Sequence, residues 1–211
     1  MDAPKAITAS PIDAADDKRG RILHAAMEMF RERGFAATTT LEIATHARVS
    51  KRELYALVGN KQATLVACIT ERARRLQVPA GMPMPRDRET LAKVLTSFGT
   101  QLLHEVSEPT VVAVFRLAIA EAVQSPEVAR TLDAVGREAS RAALRHIMTE
   151  ARAAGLIDGR PAELAEQFAG LLWRDLMVSL LLGVVERPGP RATEARAREA
   201  AAAFLHLHPI A

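Results

Sequence analysis

The sequence predicts an all-α protein: an N-terminal three-helix helix-turn-helix domain followed by a larger C-terminal helical domain. Three observations carry this. Aromatic residues are only 4% of the chain, and Ala, Leu, Arg and Glu dominate, which favours helix over sandwich or barrel. Apolar residues recur at three- and four-residue spacing along most of the 211 positions. No segment alternates convincingly between apolar and polar residues, and no repeat of fixed period is present.

Residues 1–15, with Pro4 and Pro11 among small polar residues, read as a disordered tail. Helical patterning starts at Asp16, where two acids sit at the favourable end of a helix. Ile22, Leu23, Ala26, Met27 and Phe30 make its apolar stripe, and Gly34 closes it. A short helix follows, opened by Thr39 or Thr40 as N-cap and running to Ala47. Arg48-Val49-Ser50 interrupts. Ser50 then caps a third helix, 51–58, with Glu53 at the capping-box position. After Gly59-Asn60 a longer helix runs to Leu76, with Leu65, Val66, Ile69, Ala73 and Leu76 inward. These elements define a domain over 16–76, with the helix-turn-helix at 39–58.

The segment 78–85 holds three prolines and a glycine and reads as a linker. The remainder, 77–211, is one C-terminal domain with helices expected at 87–106, 109–123, 126–154, 161–186 and 191–207. Proline or glycine marks each break between them.

Several function classes lose their support here. One cysteine, Cys68, allows neither an intramolecular disulfide nor a cysteine zinc site, and on its apolar helix it reads as a buried, inert thiol. The six histidines are scattered, without a Glu-x-x-His or His-Glu-x-x-His spacing, so no metal site is expected. No nucleophile elbow, P-loop or dinucleotide fingerprint occurs, so neither catalysis nor a cofactor is expected. The start lacks a basic region followed by an apolar run, and no stretch reaches the ~20 apolar residues of a membrane span. The expected location is the cytoplasm.

The net charge of +3 is unevenly spread. From Asp16 to Leu76 there are 12 basic residues against 7 acidic, while from Gln77 onward there are 15 against 16. A polyanionic partner for the N-terminal segment is one reading, and a solvated surface is the other. The residues at 39–61 favour the first. Two short helices joined by about three residues, packed on a preceding helix, form a unit whose second helix fits a DNA major groove. Thr39 and Thr40 place hydroxyls and free backbone N–H groups at one helix start, an anion-binding arrangement. Lys51, Arg52 and Tyr55 lie on the outward part of the second helix, while Leu54, Leu57 and Val58 supply core contacts. Lys61 falls in the first turn of the next helix, where its ammonium and the helix start could share one phosphate.

The ordered residues Arg21-Ile22-Leu23, Ala25-Ala26, Phe30, Gly34-Phe35, Thr38, Ile43-Ala44, Val49-Ser50-Lys51, Leu54-Tyr55 and Lys61 resemble the DNA-binding domain of TetR-family transcriptional regulators. The phrases Arg116-Leu117, Ile119-Ala120-Glu121-Ala122, Ala165-Glu166-Gln167-Phe168, Gly170-Leu171-Leu172 and Asp175 resemble the AefR-type C-terminal domain of that family. The resemblance implies a homodimeric repressor that binds a palindromic double-stranded operator and releases it when a small molecule binds the C-terminal domain. By position it assigns phosphate or groove contacts to Thr39, Thr40, Tyr55 and Lys61, and variable base readout to Lys51, Arg52 and Glu53. The chain departs from the pattern where Arg48 replaces the turn's usual glycine, where Ala56, Leu57 and Val58 replace aromatics or histidine, and at Gln62, usually Glu. The middle departure favours a rival reading, a helical ligand-binding or interaction module that has lost DNA binding.

Helix 161–186 is apolar on every side from Leu171 to Val185 except at Arg174, Asp175 and Ser179. Such a helix must be covered all round, and a second subunit is the expected cover, beside the Ala-rich helix 191–207. Arg116, Glu121, Arg174 and Asp175 are charges set in apolar helices and need partners. Two readings stand: a buried ionic network, or a place in an effector pocket walled by Phe115, Phe168 and Trp173. No Lys/Arg cluster that the sequence reveals faces one cavity, so a largely apolar effector is expected.

Overall fold

The computed structural model describes residues 11–74 and 85–209. The order is α1 (Pro11–Arg33), α2 (Thr40–His46), α3 (Lys51–Leu57), α4 (Lys61–Ala73), α5 (Arg88–Val106), α6 (Pro109–Ala120), α7 (Pro126–Thr131), a π-helical segment (Leu132–Arg137), α8 (Glu138–Ala153), α9 (Pro161–Trp173), α10 (Leu176–Leu182) and α11 (Pro190–Leu207). No strand occurs among the described residues. The first ten residues of the tail expected over 1–15, the end of the fourth helix at Leu76 and most of the linker lie outside the described residues.

The largest departures from the expected helices are three. α1 begins at Pro11, not Asp16, because proline's fixed φ suits a first helical turn. The expected helix 126–154 is interrupted by the π segment. Gly136 lies there at a close approach to α4: a Cβ on it would stand 3.3 Å from Ile69 Cγ2 and 3.1 Å from Leu132 Cδ1. The expected helix 161–186 breaks at Arg174, whose φ of 44° and ψ of −121° end α9. No glycine or proline marks this break. Arg196 of α11 donates to the freed carbonyls of Leu172 (3.4 Å) and Trp173 (3.2 Å), so a tertiary contact offsets the lost helical bonds.

Two apolar clusters organise the chain. One gathers Ile22, Phe30, Ile43, Leu54 and Leu65 from the first four helices and Phe35 from the loop after α1, and it continues into Val114 and Leu117 of α6, Val128 of α7 and Leu132 of the π segment. Each such side chain contributes about 1.5–3 kcal/mol on burial, so the N-terminal helices draw substantial stability from the C-terminal half. The second cluster joins Leu95 and Phe98 of α5, Met148 of α8, Phe168 of α9 and Phe204 of α11. Helices α5 and α11 meet closely at Gly99, where a Cβ would lie 3.2 Å from that of Ala197. Cys68 is buried in the first cluster with its thiol on the Leu23 carbonyl, and burial pushes its pKa up to about 12.

Candidate DNA-binding surface and ligand cavity

Helices α2 and α3 each open on a reciprocal cap. Thr39 Oγ1 accepts from the Glu42 amide at 3.3 Å, while a Glu42 carboxylate oxygen accepts from the Thr39 amide at 2.9 Å. Ser50 Oγ accepts from the Glu53 amide at 3.1 Å, and Glu53 Oε2 accepts from the Ser50 amide at 2.8 Å. Lys18 of α1 donates to the other Glu53 oxygen at 2.6 Å. That bond, with those from Ser50, brings the Glu53 carboxyl down to about 2. Glu42 is lowered likewise, chiefly by Thr39.

Between the caps, α2 ends in a Schellman turn. The Val49 amide donates to the Ala44 carbonyl at 3.0 Å, the Arg48 amide to that of Thr45 at 3.2 Å, and Arg48 takes a φ of 55°. Arg48 therefore adopts the left-handed backbone that the family's glycine would supply. Leu54 is fully buried, and Leu57 and Val58 pack half-buried against the same cluster. This docks α3 by one face, and Lys51, Arg52 and Tyr55 stand exposed on the other, with Lys51 Nζ 5.8 Å from the Tyr55 ring centre. Thr39 is exposed and Thr40 half-exposed at the start of α2.

Two predicted contact residues have other employment. Glu53 caps α3 and pairs with Lys18 instead of standing free toward a base. Lys61 does not hold its ammonium out at the start of α4. It donates to the carbonyls of Phe35 (2.9 Å) and Ala36 (3.2 Å) and sits 4.5 Å over the Phe35 ring, pinning the loop after α1.

A cavity of about 870 Å³ lies where the two halves meet. Its walls come from Met27 of α1, Ile69, Arg72 and Ala73 of α4, and residues of α5, α6, the π segment, α8, α9 and α10. Phe115 and Trp173 line it, as the sequence suggests. The other five predicted lining residues lie elsewhere. Phe168 is fully buried in the second cluster, edge-on to Phe204 at 5.8 Å. Arg116 turns outward and caps α10, donating to the carbonyls of Leu181 (2.9 Å) and Leu180 (2.8 Å). Glu121 accepts from the Ala36 amide at 3.3 Å and ties the end of α6 to the loop after α1. Arg174 faces Glu199 at 3.7 Å on the surface, and Asp175 is exposed in the turn before α10. These four charges form no shared network, because the break at Arg174 and the outward turn of Arg116 separate them.

The walls hold a basic group that sequence reading missed: Arg72, Arg137, Arg141 and Arg145, with Asp133, Glu105 and Glu166. They come from α4, α5, the π segment, α8 and α9, so no short stretch displays them together. The one available signal was helical spacing over 133–145, where Asp133, Arg137, Arg141 and Arg145 recur every four residues. A further tie crosses the halves: Gln62 of α4 donates to Thr131 Oγ1 at 3.0 Å.

Val178, Leu182, Val184, Val185 and Leu207 expose large apolar surface around α10 and the end of α11, with Leu182 at 71%. No described helix is long and apolar enough to cross a membrane.

Comparison with known proteins agrees in both halves. A family model for bacterial regulatory proteins of the tetR family matches residues 22–68, and one for the AefR-like transcriptional repressor C-terminal domain matches 93–208. The uncharacterized HTH-type transcriptional regulator YvkB of Bacillus subtilis (strain 168) is 25% identical over 176 residues, 82% of this chain and 90% of its own. Among solved structures, a TetR transcriptional regulator from Agrobacterium tumefaciens is similar at 29% identity and a TM-score of 0.76 over 95% of each chain. The flavonoid-responsive regulator FrrA is similar at 31% identity and a TM-score of 0.73, over 92% of this chain and 97% of its own.

Proposed function

The chain belongs to the TetR family of bacterial transcriptional regulators, and from that premise we propose that it is a cytoplasmic, non-enzymatic repressor. It binds a palindromic operator as a homodimer and leaves it when a small molecule fills the cavity. The observation that carries this reading is the double role of α4. The same helix packs the helix-turn-helix by Leu65 and walls the cavity by Ile69, Arg72 and Ala73. A ligand there acts directly on the element that holds the DNA-binding unit.

On the operator, Lys51, Arg52 and Tyr55 face the groove, and Thr39 and Thr40 meet phosphate. Glu53 orients α3 through its cap, and Lys61 keeps a third N–H for a phosphate while holding the α1 loop. The exposed apolar surface around Leu182 closes against a second subunit. The flavonoid response in FrrA's name supports a small-molecule effector as the class.

The test is binding to the intergenic DNA beside the coding region, searched for an inverted repeat and followed by fluorescence anisotropy across a salt titration. Lys51→Ala lowers the salt slope by about one on every sequence. Arg52→Ala changes preference among operator variants by about 1–3 kcal/mol, the worth of a bidentate base contact. Absence of binding to operator and random duplex alike at low salt refutes the proposal. It supports the rival module instead, for which the small exposed Ala56 and the half-buried Leu57 and Val58 are the supporting feature.

A further inference from the structure

We infer that the cavity selects an amphipathic organic anion: an apolar body carrying one acidic headgroup, held at Arg72 and Thr110. This deepens the effector reading above and rests on it.

The argument starts from the partners of the wall arginines. Arg137 and Arg141 both reach Asp133 Oδ1, at 2.8 and 3.2 Å. Arg145 and Arg141 reach Glu138, at 2.5 and 3.9 Å. Three of the four guanidinium groups are thus already paired, sharing two carboxylates on their own helical stretch. Arg72 differs. Its described polar contact is a neutral one, 2.9 Å to Thr110 Oγ1 at the start of α6. Glu105, on the same wall, has an interaction of its own and makes no described ion pair with Arg72.

A half-buried guanidinium carries five N–H donors, and a single hydrogen bond leaves most of them to be satisfied. Thr110, accepting from Arg72, keeps its hydroxyl proton for another acceptor. Together they offer donors of fixed direction beside Val111, Val114 and Phe115, an apolar wall. In such surroundings a carboxylate or sulfonate gains a charge-assisted bond that a neutral ligand does not. A volume of about 870 Å³ suits a drug-sized body and exceeds what a bare inorganic anion needs. The largely apolar effector expected from the sequence therefore keeps its apolar body and acquires one charge.

The experiment compares two environment-sensitive probes on the full-length protein, 1-anilinonaphthalene-8-sulfonate and its uncharged parent N-phenyl-1-naphthylamine. Energy transfer from Trp173, the single tryptophan and a wall residue, reports probe bound within its transfer range, and its dependence on Arg72 and Thr110 assigns that probe to the cavity. The wild type binds the sulfonate about tenfold more tightly than the neutral probe. Arg72→Met abolishes that preference while keeping the neutral probe's affinity, Arg72→Lys restores part of it, and Thr110→Val weakens the sulfonate a few-fold. Helical circular dichroism and the retained neutral binding show that each variant is folded. If Arg72→Met does not fold, Thr110→Val decides. Equal affinities in the wild type, or a preference that survives Arg72→Met, overturn the anion assignment and leave the cavity reading standing. If neither probe receives energy from Trp173, the cavity reading fails and this inference falls with it.

Discussion

Replacing Arg48 by glycine should stabilise the protein. Arg48 occupies the residue after the C-cap of α2 with a φ of 55°, where a side chain crowds its own carbonyl. The left-handed conformation costs a non-glycine residue about 1–2 kcal/mol. Arg48 is exposed, so truncation leaves no hole in the core. Both Schellman bonds run from backbone amides and survive the change. Against this gain stands the freedom that glycine adds to the unfolded chain, about 0.5–1 kcal/mol. The net is about 0.5–1 kcal/mol of stabilisation, a rise in Tm of about 1–4 °C for a chain of this size. The assay is thermal unfolding by circular dichroism at fixed protein concentration, since the Tm of the proposed dimer would depend on concentration. A series orders the result: Gly highest, then Asn, which tolerates this backbone, then Arg, then Val, which is β-branched. An unchanged or lowered Tm for Arg48→Gly, or Val ranking level with Arg, would refute the strain argument.

Glu53→Gln should flatten the acid limb of the stability curve. The folded carboxyl sits near 2, below its ordinary 4.5, so its contribution is fully present above about pH 4.5 and is lost as pH falls through 2. The gap in urea midpoint between wild type and variant should accordingly close toward pH 2, and a gap constant from pH 7 to 2 would exclude this linkage. Arg196→Met leaves the carbonyls of Leu172 and Trp173 without their donor and should cost about 1–2 kcal/mol in urea unfolding. A midpoint equal to wild type would show that the break at Arg174 does not depend on α11. Leu182→Glu places a charge on the exposed apolar surface around α10 and should lower the light-scattering mass from twice 22.9 kDa to that value, with helicity intact. A persistent dimer would move the subunit contact elsewhere.

The fold was legible wherever local chemistry decides it. The cap at Ser50 with Glu53, the stop at Gly34 and the separators at Pro109, Pro126, Pro161 and Pro190 all act within a few residues, and the helices begin and end there. The irregularities were illegible because distant residues set them. Nothing near Arg174 marks a break; Arg196, 22 positions away, supplies the donor that makes one tolerable. The π segment brings Gly136 close to Ile69 on another helix, a contact that no local pattern marks. The outward face of α3 could be read, since Leu54, Leu57 and Val58 mark its inner side. The fate of Lys61 could not, because its acceptors are backbone carbonyls with no sequence signature.

The cavity illustrates the same limit and gives it a functional sense. Charges set in apolar helices point to Arg116, Glu121, Arg174 and Asp175, yet Arg116 caps α10, Glu121 ties α6 to the loop after α1, Arg174 faces Glu199 on the surface and Asp175 is exposed. Arg72, which does face the cavity, sits among Glu71, Arg74 and Arg75 and reads as solvated helix surface. Its role depends on α6 bringing Thr110 to it across 38 positions. The cavity is therefore a property of the joint between the halves and of neither alone. Its shape follows the placement of α4 against α6 and the π segment, the same placement that Gln62–Thr131 and Glu121–Ala36 hold. If binding DNA shifts α4, it changes the cavity, and linkage then requires a ligand that prefers one cavity shape to change DNA affinity by the same factor.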